Sequence, residues 1–216
     1  MGCDIHFHVE IQSENGVWLS ADKWEYKDDY INVVYSDQFY NGRNYGLFSI
    51  LAGVRNGTGF AGCDTGDGFE PIDSPRGLPD NLSFEVKVRA DQWGHDGHSH
   101  SHLTLKEIKD FDFKSKKTKR RGFVYLDTYL QMEKQKNKTP DFYFGDTNMT
   151  KVKCNDIKGF SKDEIVKRYG NNVCVQLEWD ISYYDVAKCF IDNTLPKMSE
   201  LNSDPNKVRA VFWFDN

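Results

Sequence analysis

The sequence predicts an α+β fold, a mixed or antiparallel sheet with an N-terminal hairpin and helices packed on it, and three observations lead there. Polar and apolar residues alternate strictly over residues 4–10, and Asn15-Gly16 follows, a strong short-range hairpin signal. Helical and strand patterns then interleave irregularly, without a regular βαβ order. Residues 208–214 are apolar on both faces, which suits a central strand covered on each side. At 216 residues the chain can bury roughly 70% of its unfolded surface, so a single domain over residues 1–216 is expected.

The first strand runs to about Ile11. Cys3, Ile5, Phe7, Val9 and Ile11 share one face, Asp4, His6, His8 and Glu10 share the other, and residues 17–19 return. A polar, tyrosine-rich stretch to about Arg43 has no clear period. Leu47, Phe48, Ile50, Leu51 and Val54 mark a helical face, with Gly57 as its left-handed terminator. Residues 57–82 form a long Gly/Pro-rich loop, a length that usually signals function, and it is read as a lid over a ligand. Lacking Gly-Lys-Ser/Thr, it is no Walker loop.

A short helix follows Ser83 and ends near Trp93-Gly94. The histidine-rich run 95–102 is read as a loop entering a helix at Leu105, where Thr104 and Glu107 fit a capping box. A strand is expected over 122–126 and a polar helix from Asp127. Ser161 and Glu164 cap another helix that ends at Gly170, and residues 172–179 alternate as a strand. Asp180 or Ser182 starts a last helix through Tyr183, Val186 and Phe190, which Pro196 breaks or ends.

Composition narrows the function. A net charge of −5 argues against an extended nucleic-acid partner, whose phosphates reward the opposite sign. The one dense basic segment, residues 114–121, is read as a solvated turn, with a phosphate-facing loop or partner patch as the alternative. Five widely spaced cysteines without a C-x-x-C pair fit neither a disulfide framework nor a zinc ribbon. No apolar run reaches the roughly 18 residues of a membrane span, and the start resembles no signal peptide or myristoylation site. A cytoplasmic protein without membrane partners is expected, and a homo-oligomer is left open. With 14% aromatic residues, rings are available for stacking on planar ligands as well as for the core.

All six histidines fall in two stretches, His6 and His8 in the first and His95, His98, His100 and His102 in the second. Histidine is both the commonest metal ligand and the side chain that titrates near neutrality, so this clustering points to a site. An H-x-H on a strand sends both imidazoles to one side, where Asp4, His6, His8 and His100 could hold a divalent zinc or manganese ion. Such an ion would activate a water or neutralise a phosphoryl oxygen. The competing reading is a hydrogen-bonded polar face without metal. Asp4-Ile5-His6 and Gly97-His98-Ser99-His100 are similar to the opening and closing motifs of calcineurin-like metallophosphoesterases, but the central G-N-H-D/E is absent. His102-Leu103-Thr104 resembles one element of two-histidine phosphoesterases and lacks its second. A nucleophile elbow is also absent, and a Cys3–His6 pair would face opposite sides of a strand.

Taken end to end, the chain resembles a family of small bacteriophage and prophage proteins. The resemblance rests on MGCDIH, RNYGLFSILAGVRNG, PRGLP, WGHDGHSHSHLTLKEI, VQLEW and the closing VFWFDN, and departs mainly in the lysine-rich middle. It brings no assigned activity with it. What it implies is a phage setting, hence an accessory protein of counter-defence type in the host cytoplasm that acts on a small nucleotide immune signal. Three readings stand. In the first, a phosphodiesterase hydrolyses a cyclic dinucleotide or related cyclic nucleotide, with His6, His8, His98, His100 and Glu178 catalytic. Its ligand would be bound by Asp4, Arg43, Asn44, Tyr45, Arg76, Trp93, His102 and Asp215. In the second, the same residues sequester a signal such as a cyclic ADP-ribose derivative without cleaving it. In the third, the histidines are structural and an exposed surface inhibits a host enzyme.

Overall fold

The computed structural model describes residues 2–27, 30–136 and 138–216. In chain order, its first half holds β1 (Asp4–Gln12), β2 (Trp18–Ser20), β3 (Trp24–Lys27), β4 (Tyr30–Val33), α1 (Tyr45–Ala52), α2 (Phe84–Trp93), β5 (His98–Thr104) and α3 (Leu105–Asp110). There follow β6 (Lys117–Tyr125), α4 (Leu126–Gln135), β7 (Thr150–Lys153), α5 (Cys154–Ile157), α6 (Lys162–Tyr169), β8 (Val173–Ser182), α7 (Tyr183–Cys189), α8 (Leu195–Leu201) and β9 (Val208–Asp215). The fold is α+β, as expected. Its contacts gather in two compact units, one of Met1–Asn56, Phe69–Lys116 and Tyr183–Asn216, the other of Gly57–Gly68 and Lys117–Ser182.

The first unit is built on an antiparallel sheet in the order β2-β1-β9-β5. The hairpin at Asn15-Gly16 forms where expected. β9, apolar but for Arg209 and Asp215, pairs on both edges and is buried along nearly its whole length. Cys3, Ile5, Phe7 and Val9 face a large core with Leu47, Phe48, Leu103, Ile108, Phe190, Met198, Phe212 and Phe214. Cys3 therefore lies on the face opposite His6. The helix of residues 45–52 ends at Gly53 and not at Gly57: Gly53 takes φ 68, and its N–H satisfies the end carbonyls of Phe48 and Ser49. The aperiodic stretch before it holds a second antiparallel strand pair, β3-β4. Pro196 does not break the last helix. It sits at the start of α8, where its missing N–H costs nothing, after a wide π turn over Phe190–Thr194.

The second unit has a sheet in the order β6-β8-β7, antiparallel between β6 and β8 and parallel between β7 and β8. Val173, Val175, Leu177 and Trp179 pack against Val124, Leu126, Tyr129, Ile157 and Ile165. The basic segment is a correction: residues 117–121 are strand, not turn. Opposed carboxylates absorb the charge, since Arg121 meets Glu178 at 2.6 Å, Asp64 at 3.4 Å and Asp67 besides. Gly66 is required here, because a Cβ would come within 2.0 Å of the Lys119 carbonyl oxygen.

The loop of residues 57–82 is likewise tied down along its length. In the second unit the Asp67 N–H bonds to Lys119 O and the Arg121 N–H to Thr65 O. In the first, the N–H groups of Ile72 and Gly77 bond to Ile50 O and His100 O. Such anchoring fits a fixed wall better than a lid.

Candidate functional site

Directly opposed residues of antiparallel strands point the same way, so β1 and β9 together set the composition of one sheet face. Asp4 stands opposite Asp215, His6 opposite Trp213, His8 opposite Val211 and Glu10 opposite Arg209. α2 covers this face by packing Val86 and Ala90 onto Val211 and Trp213. Cover is complete at one end only. Side-chain exposure falls from 48% at Asp4 to 17% at His6, 6% at His8 and 0% at Glu10.

At the closed end the polar groups pair with one another, Asp22 Oδ1 and Ser83 Oγ excepted. His8 donates from Nδ1 to Asp22 Oδ2 at 2.9 Å and stacks on Trp24. Glu10 accepts from Arg209 Nε at 2.6 Å and from the Ser83 N–H at 2.7 Å. Arg209 also lies over the Trp18 ring and donates twice to Asn81. Charges this deep survive only when compensated, and these are. His8 and Glu10 act as internal struts.

The open end differs. His6 Nε2 donates to Asp215 Oδ2 at 3.2 Å, with Asp215 22% exposed. The imidazole lies 4.0 Å from the Trp93 ring and 5.6 Å from that of Trp213. Burial pushes the His6 pKa below its ordinary 6.5 and outweighs the upward pull of Asp215, so the ring is neutral near pH 7. With the proton held on Nε2 by the carboxylate, Nδ1 carries the lone pair. Asp4 is occupied beyond it: Arg43 donates Nε to Oδ1 at 2.7 Å, and the guanidinium holds the carboxyl below its usual range.

The second histidine stretch meets the first across Trp213, and it does so from a strand. Residues 98–104 are β5, paired to β9, which corrects the loop expected there. A bulge lies between His98 and Ser101, with Ser99 in the left-handed region at φ 51. One extra residue shifts the phase of a strand. His98 pairs with Phe214 and faces the core side, while His100 stacks on Trp213 at 5.8 Å. His100 also has its pKa lowered, by burial and then by His98.

The remaining expected residues have partners of their own. Asn44 caps α1, and the Tyr45 hydroxyl accepts the Cys3 N–H. Arg76 is neutralised by Asp73 and Glu107, and His102 Nδ1 donates to Gly77 O. Glu178 belongs to the second unit, bound to Arg121. Asp4 pairs with Arg43, His6 with Asp215 and His8 with Asp22, while His100 stacks on Trp213. Among the described residues no three His, Cys, Asp or Glu side chains are placed to hold a metal ion.

Two clefts of the first unit compete as sites. One of about 450 Å³ is walled mainly by Ile108, Phe111, Phe113, Tyr184 and Leu195 and lacks convergent catalytic groups. The other, about 470 Å³, includes Arg76, His102, Lys106 and Arg209, but its three formal cations are already paired. The dyad is the better chemical candidate. Trp213 and Arg89 were not singled out from sequence. Counting back two from Asp215 on an alternating strand finds Trp213, and counting back four from Trp93 on a helix finds Arg89.

Fold and site together define an α+β protein with a half-open His–Asp dyad walled by tryptophan. Comparison with protein-family models, curated proteins and solved structures finds no match to the chain. No helix among the described residues is long and apolar enough to cross a membrane.

Proposed function

We propose that the protein is a hydrolase that cleaves a phosphodiester bond of a small cyclic nucleotide, a counter-defence activity in the phage setting that the sequence resemblance implies. The observation that carries this reading is the His6–Asp215 pair, partly open to solvent and set between Trp93 and Trp213. Asp215 positions the ring and holds its Nε2 proton. His6 Nδ1 takes a proton from a water as the water oxygen bonds to phosphorus. The ester P–O bond breaks, and the leaving ribose oxygen takes a proton from solvent. The indole rings supply the apolar surface on which a base can stack.

The test is incubation of purified protein with cyclic dinucleotides, with chelator and with added zinc or manganese, following products by chromatography and mass spectrometry. A linear dinucleotide should accumulate, and His6→Asn should slow it by about 10²–10⁴-fold. Product that persists in chelator assigns the step to the dyad, and product only with added ion gives the metal a part in it. No product under any condition overturns the reading; intact nucleotide recovered from the denatured protein would favour sequestration.

A further inference from the structure

Arg89 stands on α2 one turn before Trp93, and its guanidinium lies over the Trp93 ring at 5.4 Å. Trp93 in turn lies 4.0 Å from the His6 ring, and the Arg89 charge is felt at His6. The residue is half-buried, yet among the described residues it has no carboxylate partner. Its nearest polar neighbour is the neutral side-chain amide of Gln92, which pairs with the Ile31 backbone. Partly desolvated guanidinium groups are ordinarily paired, as Arg76 and Arg209 are in this protein. Beside it, the Trp93 indole Nε1 is buried and has no hydrogen-bond acceptor among the described residues. A half-exposed cation without a counter-charge, stacked on an indole face, is matched by a tetrahedral oxyanion that the guanidinium fork can grip.

We infer that Arg89 binds a phosphoryl group beside the His6–Asp215 dyad. This rests on the proposed reading for the phosphoryl group's origin in a nucleotide, but the anion site follows from Arg89 and Trp93 themselves. Burial already lowers the Arg89 pKa, so the charge is maintained at a cost that a bound anion would offset. The planar fork reaches two phosphoryl oxygens at once, which a lysine cannot do. Tyr30 on β4 lies within electrostatic reach of Arg89 and is 45% exposed, so it offers a ring for the attached base.

Because Trp93 touches the guanidinium, its fluorescence reports on the site without any turnover. Inorganic phosphate and a cyclic purine dinucleotide would each be titrated at constant ionic strength into the wild type, Arg89→Gln, Arg89→Lys and Trp93→Phe proteins. The wild type should show a saturable change with phosphate, with Kd on the order of millimolar. Arg89→Gln should weaken it at least about tenfold, Arg89→Lys less, and Trp93→Phe should remove the signal. Tighter, equally Arg89-dependent binding of the dinucleotide assigns the phosphoryl group to a nucleotide; equal affinity assigns it to free phosphate. No saturable change in the wild type, or an unchanged Kd in Arg89→Gln, overturns the inference. Loss of the hydrolase reading leaves a phosphate-dependent signal intact, so the two failures are distinguishable.

Discussion

Removing the Glu10 carboxylate would leave the Arg209 guanidinium, 5% exposed, without its counter-charge beneath α2. A buried charge stripped of its partner costs more than the pair contributed, because desolvation remains while the attraction is gone. Glu10→Ala should therefore lower stability by about 3–5 kcal/mol, read from urea unfolding. The double variant Glu10→Leu/Arg209→Met, which removes both charges, should recover most of that loss. Equal destabilisation in the single and double variants would show that the two side chains hold the sheet by packing alone. His6, four residues earlier on the same face, carries no such burden, since its partner Asp215 is partly hydrated. The gradient of cover along β1 separates struts from partly exposed groups of the same chemical types.

β5 is the element whose geometry most affects the site. Its bulge places His98 and His100 on opposite faces, and Ser99 supplies the left-handed residue that makes the bulge possible. A β-branched side chain is strongly disfavoured in that region, whereas glycine enters it freely. Ser99→Val should lower stability by roughly 1–2 kcal/mol and displace the His100 ring from Trp213, seen as a change in its ring-current shift. Ser99→Gly should retain both; loss in Ser99→Gly equal to that in Ser99→Val would show that the Ser99 hydroxyl, bonded to His98, matters more than the backbone. The bulge also explains what the sequence concealed. Alternation over residues 4–10 reads directly as β1, and the capping boxes at Thr104 and Ser161 form as their spacing requires. In HSHSH the local pattern suits an exposed loop, and only pairing with the apolar β9 makes it a strand. The basic residues 117–121 fail for the same reason: their carboxylate partners on β8 and near Gly66 are distant in sequence. Clustered histidines put His6, His8 and His100 on one sheet face, but which end of that face α2 leaves open is tertiary information.

Across the whole molecule, the shifted groups define a pH window of greatest stability. His6 and His100 have folded pKa values below 6.5, so as pH falls past 6.5 the unfolded chain takes up protons that the folded one resists. Stability declines there. A second group of carboxyls is depressed on folding. Arg43 lowers Asp4 from 3.8, while Arg76 and the Thr104 cap overcome the opposing effect of burial and hold Glu107 at about 2. Their contribution is present above the unfolded values and is lost as pH drops through the folded ones, which steepens the decline below about pH 4.5. At the alkaline end, burial raises the thiols of Cys3 and Cys174 above 9.0. Their contribution is full below 9.0 and is lost as pH rises through the higher folded values. Thermal unfolding should therefore show a Tm plateau between pH 6.5 and 9.0, a shallow acid shoulder and then a steep fall. His6→Asn and His100→Asn together should flatten the shoulder between about pH 5 and 6.5 relative to the plateau. Cys174→Ala should flatten the alkaline limb. A Tm maximum below pH 6.5 would mean that the imidazoles are stabilised in their charged form, and would overturn the proposed role of His6 as a neutral base.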